Sequence, residues 1–446
     1  MLLAVLTVGV AWGQAPAAQP PQQPAPAAAT PQQDQAPAAP TEPAAKDTTE
    51  FKLSPEKYKQ AVEYSRAGYR LHFIEAAYGL IVVLIVLGLG FSAKFRDLAE
   101  RATRYRFVQA LIFVPLLTLA MDILSLPTSL YGHSLALQYE QSIQGWGSWF
   151  WDWTKGEMIG IIISTLLIWL LYVIVRRSPR RWWLYFWLAS IPIIIFLLFI
   201  TPVLIQPLFF QFDPLDAKRP DLVTEIEKVV QRGGLEIPRE RMFEMNASEK
   251  LNSVNAYVTG FGASKRVVVW DTTLKRMTTP QTLFVFGHEM GHYVLGHIQK
   301  LITMICVMLL VFLYLGYKGM HWVIARWGGR WGVRAVDDWA SLPILLGLIS
   351  IFSFFSDPLT NTYSRSVEHE ADIYGLEVTY GINAEPQKAA AEAFQILGEI
   401  NLADPEPSEF IRIWLYNHPT VGERVVFSRN YDPWSKGEKP QFVPAP

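Results

Sequence analysis

Six long apolar runs, separated by polar and patterned stretches, set the architecture that the chain predicts. They cover residues 71–92, 107–127, 158–175, 182–205, 301–317 and 342–355. A helix needs about 20 apolar residues to cross a bilayer, so the first four runs predict membrane spans. The last two are shorter, and buried core helices remain an alternative for them. Glu75 and Asp122 interrupt the first two runs. Carboxylates are costly in lipid, so both should face the bundle interior or water.

Elsewhere the periodicity changes. Residues 222–230 repeat apolar positions at helical spacing and stop near Gly233 and Gly234. Residues 254–260 and 265–270 read as two strands joined across 261–264, a hairpin. Ser54 followed by Pro55, and Thr279 followed by Pro280, mark helix starts. Residues 1–13 are apolar and end in small residues, like a secretory signal without its basic n-region. Residues 14–50 are dominated by Ala, Pro and Gln and read as a disordered tether. The predicted organisation is then a four-span bundle (51–205), a catalytic region with the hairpin (206–300), two further spans (301–357) and a second catalytic region (358–446). The fold class expected is mainly α: a multi-pass helical membrane bundle with a second domain that carries a small β-hairpin.

Composition agrees with a membrane protein. Of 446 residues, 51% are hydrophobic, with 16 Trp and 25 Phe. A net charge of −1 gives no reason to expect a nucleic-acid partner. Cys306 is the only cysteine, which excludes an intrachain disulfide and a cysteine-based zinc site. The positive charges are unevenly spread. Lys94, Arg96, Arg101, Arg104 and Arg106 follow the first run, Arg176, Arg177, Arg180 and Arg181 the third, and Lys318, Arg326, Arg330 and Arg334 the fifth. The loop after the second run carries only Lys155, with Trp146, Trp149, Trp151 and Trp153 as an interfacial belt. The positive-inside rule makes the three basic loops cytoplasmic and puts both catalytic regions outside. In a bacterium that is the periplasmic side of the inner membrane.

The chemistry centres on His288-Glu289-Met290-Gly291-His292, an H-E-x-x-H stretch. Residues four apart on a helix share a face, so both imidazoles can hold one zinc ion with Glu289 beside its open position. A third ligand is needed. His297 falls off the shared face and reads as a helix-end residue. Glu368 is the better candidate, with Asp372 four residues on to accept a proton from the far nitrogen of a ligating histidine. His369 and Glu370 would then point elsewhere. One zinc ion per chain on His288, His292 and Glu368 would leave a position for water, Glu289 would act as general base, and His418 and Arg424 are candidate oxyanion donors. A strand at Asn255, Ala256 and Tyr257 could pair with an extended substrate.

Taken together these residues resemble the type I CAAX prenyl proteases, integral-membrane zinc endopeptidases of the gluzincin kind. The similarity includes Gln206-Pro207 with Pro214-Leu215, Asn255-Ala256-Tyr257 with Gly260, Val267 to Thr272, Gly287 to His292 with Gly296-His297, Ser364-Arg365 ahead of Glu368 and Ala371-Asp372, and His418-Pro419 with Glu423-Arg424. The resemblance runs from about Leu53 to Arg424. It implies zinc on His288, His292 and Glu368, Glu289 as base, and Asn255, His418 and Arg424 near substrate. It also implies membrane helices around a water-filled chamber. The family commonly has seven spans and a cytosol-facing site, where this chain shows six runs and a charge pattern that points outward. The function expected is a membrane-embedded metalloendopeptidase for membrane-associated, lipidated or misfolded polypeptides. An inactive membrane chaperone of the same fold is the alternative, and the intact Glu289 speaks against it.

Overall fold

The computed structural model describes residues 51–260 and 265–445. The signal-like segment, the tether and the hairpin turn at 261–264 lie outside the described residues. Ser54 caps α1 (Pro55–Gly88) by accepting from the Lys57 amide, with Pro55 in the first turn, as the sequence predicts. The amphipathic α2 (Phe91–Ala102) lies between α1 and α3 (Arg106–Gln138), and α4 (Trp146–Arg177) and α5 (Trp182–Ile200) complete the N-terminal bundle. Later in the chain α9 (His297–Val323) and α10 (Leu342–Thr379) join it; α9 packs on α5 and α10, and α10 on α1. Among the described residues six helical segments are long and apolar enough to cross a membrane. The fifth and sixth runs are therefore long helices, not short core ones.

Run boundaries moved for physical reasons. The second run continues past Pro127 to Gln138, because a proline removes only one backbone bond and neighbouring groups re-satisfy the freed carbonyls. The sixth does not end at 355. It is the first part of the 38-residue α10, so the predicted boundary at 357/358 falls inside one continuous helix. Asp122 is half-buried beside Glu157 of α4, inside the bundle as expected. Glu75 is exposed.

The basic loops meet at one end of the bundle. The buried Arg96 donates to Asp338 (2.6 Å) and to the Gly332 carbonyl (2.8 Å), Arg334 pairs with Asp97 and Glu100, and Arg176 donates to the Asp337 carbonyl. At the other end Lys250 pairs with Asp152 and Lys155 donates to the Leu208 carbonyl, tying α4 to the catalytic part.

The catalytic part holds more sheet than the hairpin. β3 (Ala256–Thr259) and β4 (Arg266–Trp270) pair antiparallel as predicted, with Tyr257 opposite Val268. Two further strands, β1 (Phe212–Pro214) and β2 (Met242–Met245), extend the sheet in the order β1-β2-β4-β3, with β2 parallel to β4. Both are too short for an alternating pattern to announce them. Ala256, Val258, Val267 and Val269 face a core shared with α6 (Pro220–Arg232) and α8 (Thr279–Val294); Tyr257, Val268 and Trp270 face the other way. Between β4 and α8 lies the short α7 (Asp271–Arg276). After α10 come α11 (Pro386–Ile400), α12 (Glu409–Leu415) and α13 (Val421–Asn430).

Candidate metal centre and active site

The site forms where α8 crosses α10. A capping box at Thr278 and Gln281 starts α8, and the buried residues 281–288 seat it in the catalytic core. The crossing is close because glycines meet there. A Cβ on Gly287 would lie 2.8 Å from Val378 Cγ1, and one on Gly375 would lie 3.0 Å from the His288 backbone nitrogen. We expect Gly375→Val to push the helices apart and weaken zinc binding at least tenfold, read by chelator competition on the purified protein.

Across this contact three donors converge. The Nε2 atoms of His288 and His292 are 3.1 Å apart, and Glu368 puts one carboxylate oxygen 3.3 Å from the first and the other 3.4 Å from the second. Among the described residues this is the one group of three His, Cys, Asp or Glu that could hold a metal ion. The sequence had placed these residues 76 positions apart in two helices (368 − 292); the fold brings them together.

The back of His288 is fully engaged. Its Nδ1 lies 2.8 Å from Asp372 Oδ1. Arg424, from α13, donates to both Asp372 oxygens at 2.9 and 2.5 Å and lies 4.1 Å over the Phe394 ring of α11. Its guanidinium lies 3.4 Å from His288 Nδ1 and 3.7 Å from Glu368 Oε2. His297 is the helix-end residue expected, outside the group of metal donors. It begins α9, it is buried, and its Nδ1 lies 3.1 Å from His292 Nδ1.

His418 lies on the open side. Its side chain is 48% exposed and its Nε2 is 3.2 Å from Glu368. The end of α12 just before it is pinned from two helices. Arg365 of α10 donates to the carbonyls of Arg412 (2.9 Å) and Tyr416 (2.5 Å), Asn361 donates to Trp414, and Tyr69 of α1 meets the Tyr416 hydroxyl at 2.7 Å. Arg365 belongs to the stretch the resemblance picked out. Nothing local in the sequence points to Tyr69, which lies 347 residues from its partner.

The proposed substrate strand is present as an edge. β3 is the last strand of the sheet and packs along α8. The side chains are occupied: Asn255 accepts from the Ala256 amide, Ala256 is buried in the core, and Tyr257 donates to Gln206. The outer backbone edge of β3 pairs with no other strand among the described residues.

Comparison with known proteins agrees with this geometry. Residues 40–211 match the family described as CAAX prenyl protease N-terminal, five membrane helices, and residues 216–431 match peptidase family M48. The chain belongs to peptidase family M48. It is 35% identical over 373 residues to an uncharacterized metalloprotease, YhfN, of Bacillus subtilis, covering 84% of this chain and 85% of that one. A CAAX prenyl protease 1 homolog of Arabidopsis thaliana is 26% identical over 396 residues, 84% and 87% of the two chains. The crystal structure of S. mikatae Ste24p superposes with a TM-score of 0.73 at 22% identity, covering 86% of this chain and 94% of that one, which shows a shared fold. This chain is thus a multi-pass membrane M48 metalloprotease.

The M48 family implies zinc, and the residues fit it. Tetrahedral ligands about 2.0–2.1 Å from a zinc ion lie roughly 3.3 Å from one another, close to the separations of 3.1, 3.3 and 3.4 Å here. Glu368 Oε2 is buried with no hydrogen-bond partner of proper geometry, an orphan that a cation would satisfy. Burial pushes the Glu289 carboxyl up to about 7, only partly opposed by His288. A carboxyl poised near neutrality suits proton transfer.

Proposed function

We propose that this M48 protease hydrolyses peptide bonds in membrane-associated, lipidated or misfolded polypeptides, with Glu289 as general base and one zinc ion per chain. The convergence of His288, His292 and Glu368 beside Glu289 carries the reading. Zinc held there would supply Lewis acidity to a water and to the scissile carbonyl. Glu289 takes the water's proton and later gives it to the leaving amine. His418 donates toward the developing oxyanion from the open side. Asp372 fixes the His288 tautomer, and Arg424 holds Asp372; Arg424 is a positioning residue here, not an oxyanion donor. The β3 backbone, from Asn255 through Tyr257, aligns an extended substrate.

We also propose that the site faces the periplasm across a bacterial inner membrane, and that residues 1–13 are a signal. The basic loops gathered at the end opposite the site support this. The test is a fluorogenic peptide, with and without a lipid chain, added to right-side-out spheroplasts that contain the full-length protein. Cleavage without permeabilisation is expected. Cleavage only after permeabilisation would reverse the sidedness, and equal rates for lipidated and plain peptides would remove lipid recognition from the proposal.

A further inference from the structure

The structure assigns His297 and Glu370 a positioning role toward zinc: together they set the tautomer and orientation of His292. This inference rests on zinc binding at His288, His292 and Glu368.

His292 presents Nε2 to the other two donors, so that nitrogen must carry the lone pair. Its proton then sits on Nδ1, 3.1 Å from His297 Nδ1. A donor must meet an acceptor, so His297 Nδ1 is unprotonated and its proton lies on Nε2. That nitrogen is 3.0 Å from Glu370 Oε2, an acceptor. One proton order therefore runs from His292 through His297 to Glu370. Lys300 approaches the same Glu370 oxygen at 3.3 Å and holds the carboxylate from the solvent side.

Local backbone makes this possible. On an unbroken helix, a residue five positions after His292 would point about 140° away from it. The helix is broken instead. Gly296 adopts φ +68, a left-handed conformation that side chains other than glycine rarely take, and the chain turns back there. His297 thereby becomes the first residue of α9 while its ring, 3% exposed, returns to His292. It is no fourth ligand, because it meets the nitrogen of His292 that faces away from the donors. Glu370 reaches it from α10, two residues after Glu368. The two ligating histidines are thus braced differently. His288 leans on a buried carboxylate fixed by arginine, and His292 on a neutral imidazole relayed to a partly exposed carboxylate.

The test measures zinc dissociation constants by chelator competition on the purified full-length protein. His297→Ala removes the acceptor and should weaken zinc about 10–100-fold, the range for loss of an outer-shell partner. His297→Asn can place an amide oxygen near the position of Nδ1 and should stay within about threefold of the parent. Glu370→Ala, at a partly exposed position, should weaken zinc about threefold or more and serves if His297→Ala does not fold. A role in packing alone predicts the opposite ranking of readouts: lower thermal stability of the zinc-stripped His297→Ala and His297→Asn proteins alike, with no difference between their zinc affinities. Parent-like affinity in His297→Ala and Glu370→Ala would overturn the inference and leave the zinc site standing. A parent protein with no tight zinc site would overturn both.

Discussion

Glu289→Gln should abolish peptide cleavage while the protein keeps its zinc. Glutamine preserves the shape of the side chain but cannot accept and return a proton, so the loss falls on the chemical step. General acid–base catalysis contributes typically about 10²–10⁴-fold, and in the proposed mechanism one carboxylate serves both halves of the reaction, so a loss of about 10³-fold or more is expected in kcat. Neither KM nor metal content should change much. The residue is set apart from the ligands by its environment: burial carries its carboxyl up to about 7, whereas His288 and His292 on either side of it turn their Nε2 atoms to Glu368. Stopped-flow cleavage of a fluorogenic peptide, with metal analysis on the same preparation, checks both parts. Retained hydrolysis would transfer the base role to another group.

Glu368→Ala should have the larger effect on metal. It removes one of three donors and the charge that faces two imidazoles across the helix crossing. Zinc sites with three protein ligands depend on each of them, so zinc should be lost on dialysis and activity should vanish with it. Glu368→Gln is the milder companion, since a neutral amide oxygen can still point at the ion. It is expected to retain some zinc at high metal concentration. Asp372 and Arg424 would remain paired in both variants, so the fold around α10 should persist.

Much of this site was legible before any coordinates, and the reasons are local. His288 and His292 stand one helical turn apart, as do Glu368 and Asp372, and each pair declares a shared face from spacing alone. The hairpin of β3 and β4 was legible because β-branched and aromatic residues, Tyr257 to Thr259 and Val267 to Trp270, flank the glycine-containing stretch between them. What could not be read is what depends on crossing chains. The Gly287–Gly375 contact, the grip of Tyr69 on Tyr416 and the spending of Arg424 on Asp372 need the two helices already placed. β1 and β2 are three and four residues long and owe their pairing to the sheet rather than to their own pattern. His297 shows the same limit: its place at a helix end and off the shared face follows from spacing, but its return to His292 Nδ1 depends on the chain reversal at Gly296.

The proposed chemistry depends on a cation held jointly by α8 and α10. X-ray absorption at the zinc edge of the purified protein, compared with Glu368→Ala, tests this most directly. The expected spectrum for the parent has two imidazoles and a carboxylate oxygen at about 2.0–2.2 Å, and the carboxylate contribution should be missing from whatever zinc the variant retains. A parent spectrum unchanged by removal of Glu368, or one with fewer than two imidazoles around the metal, would contradict it.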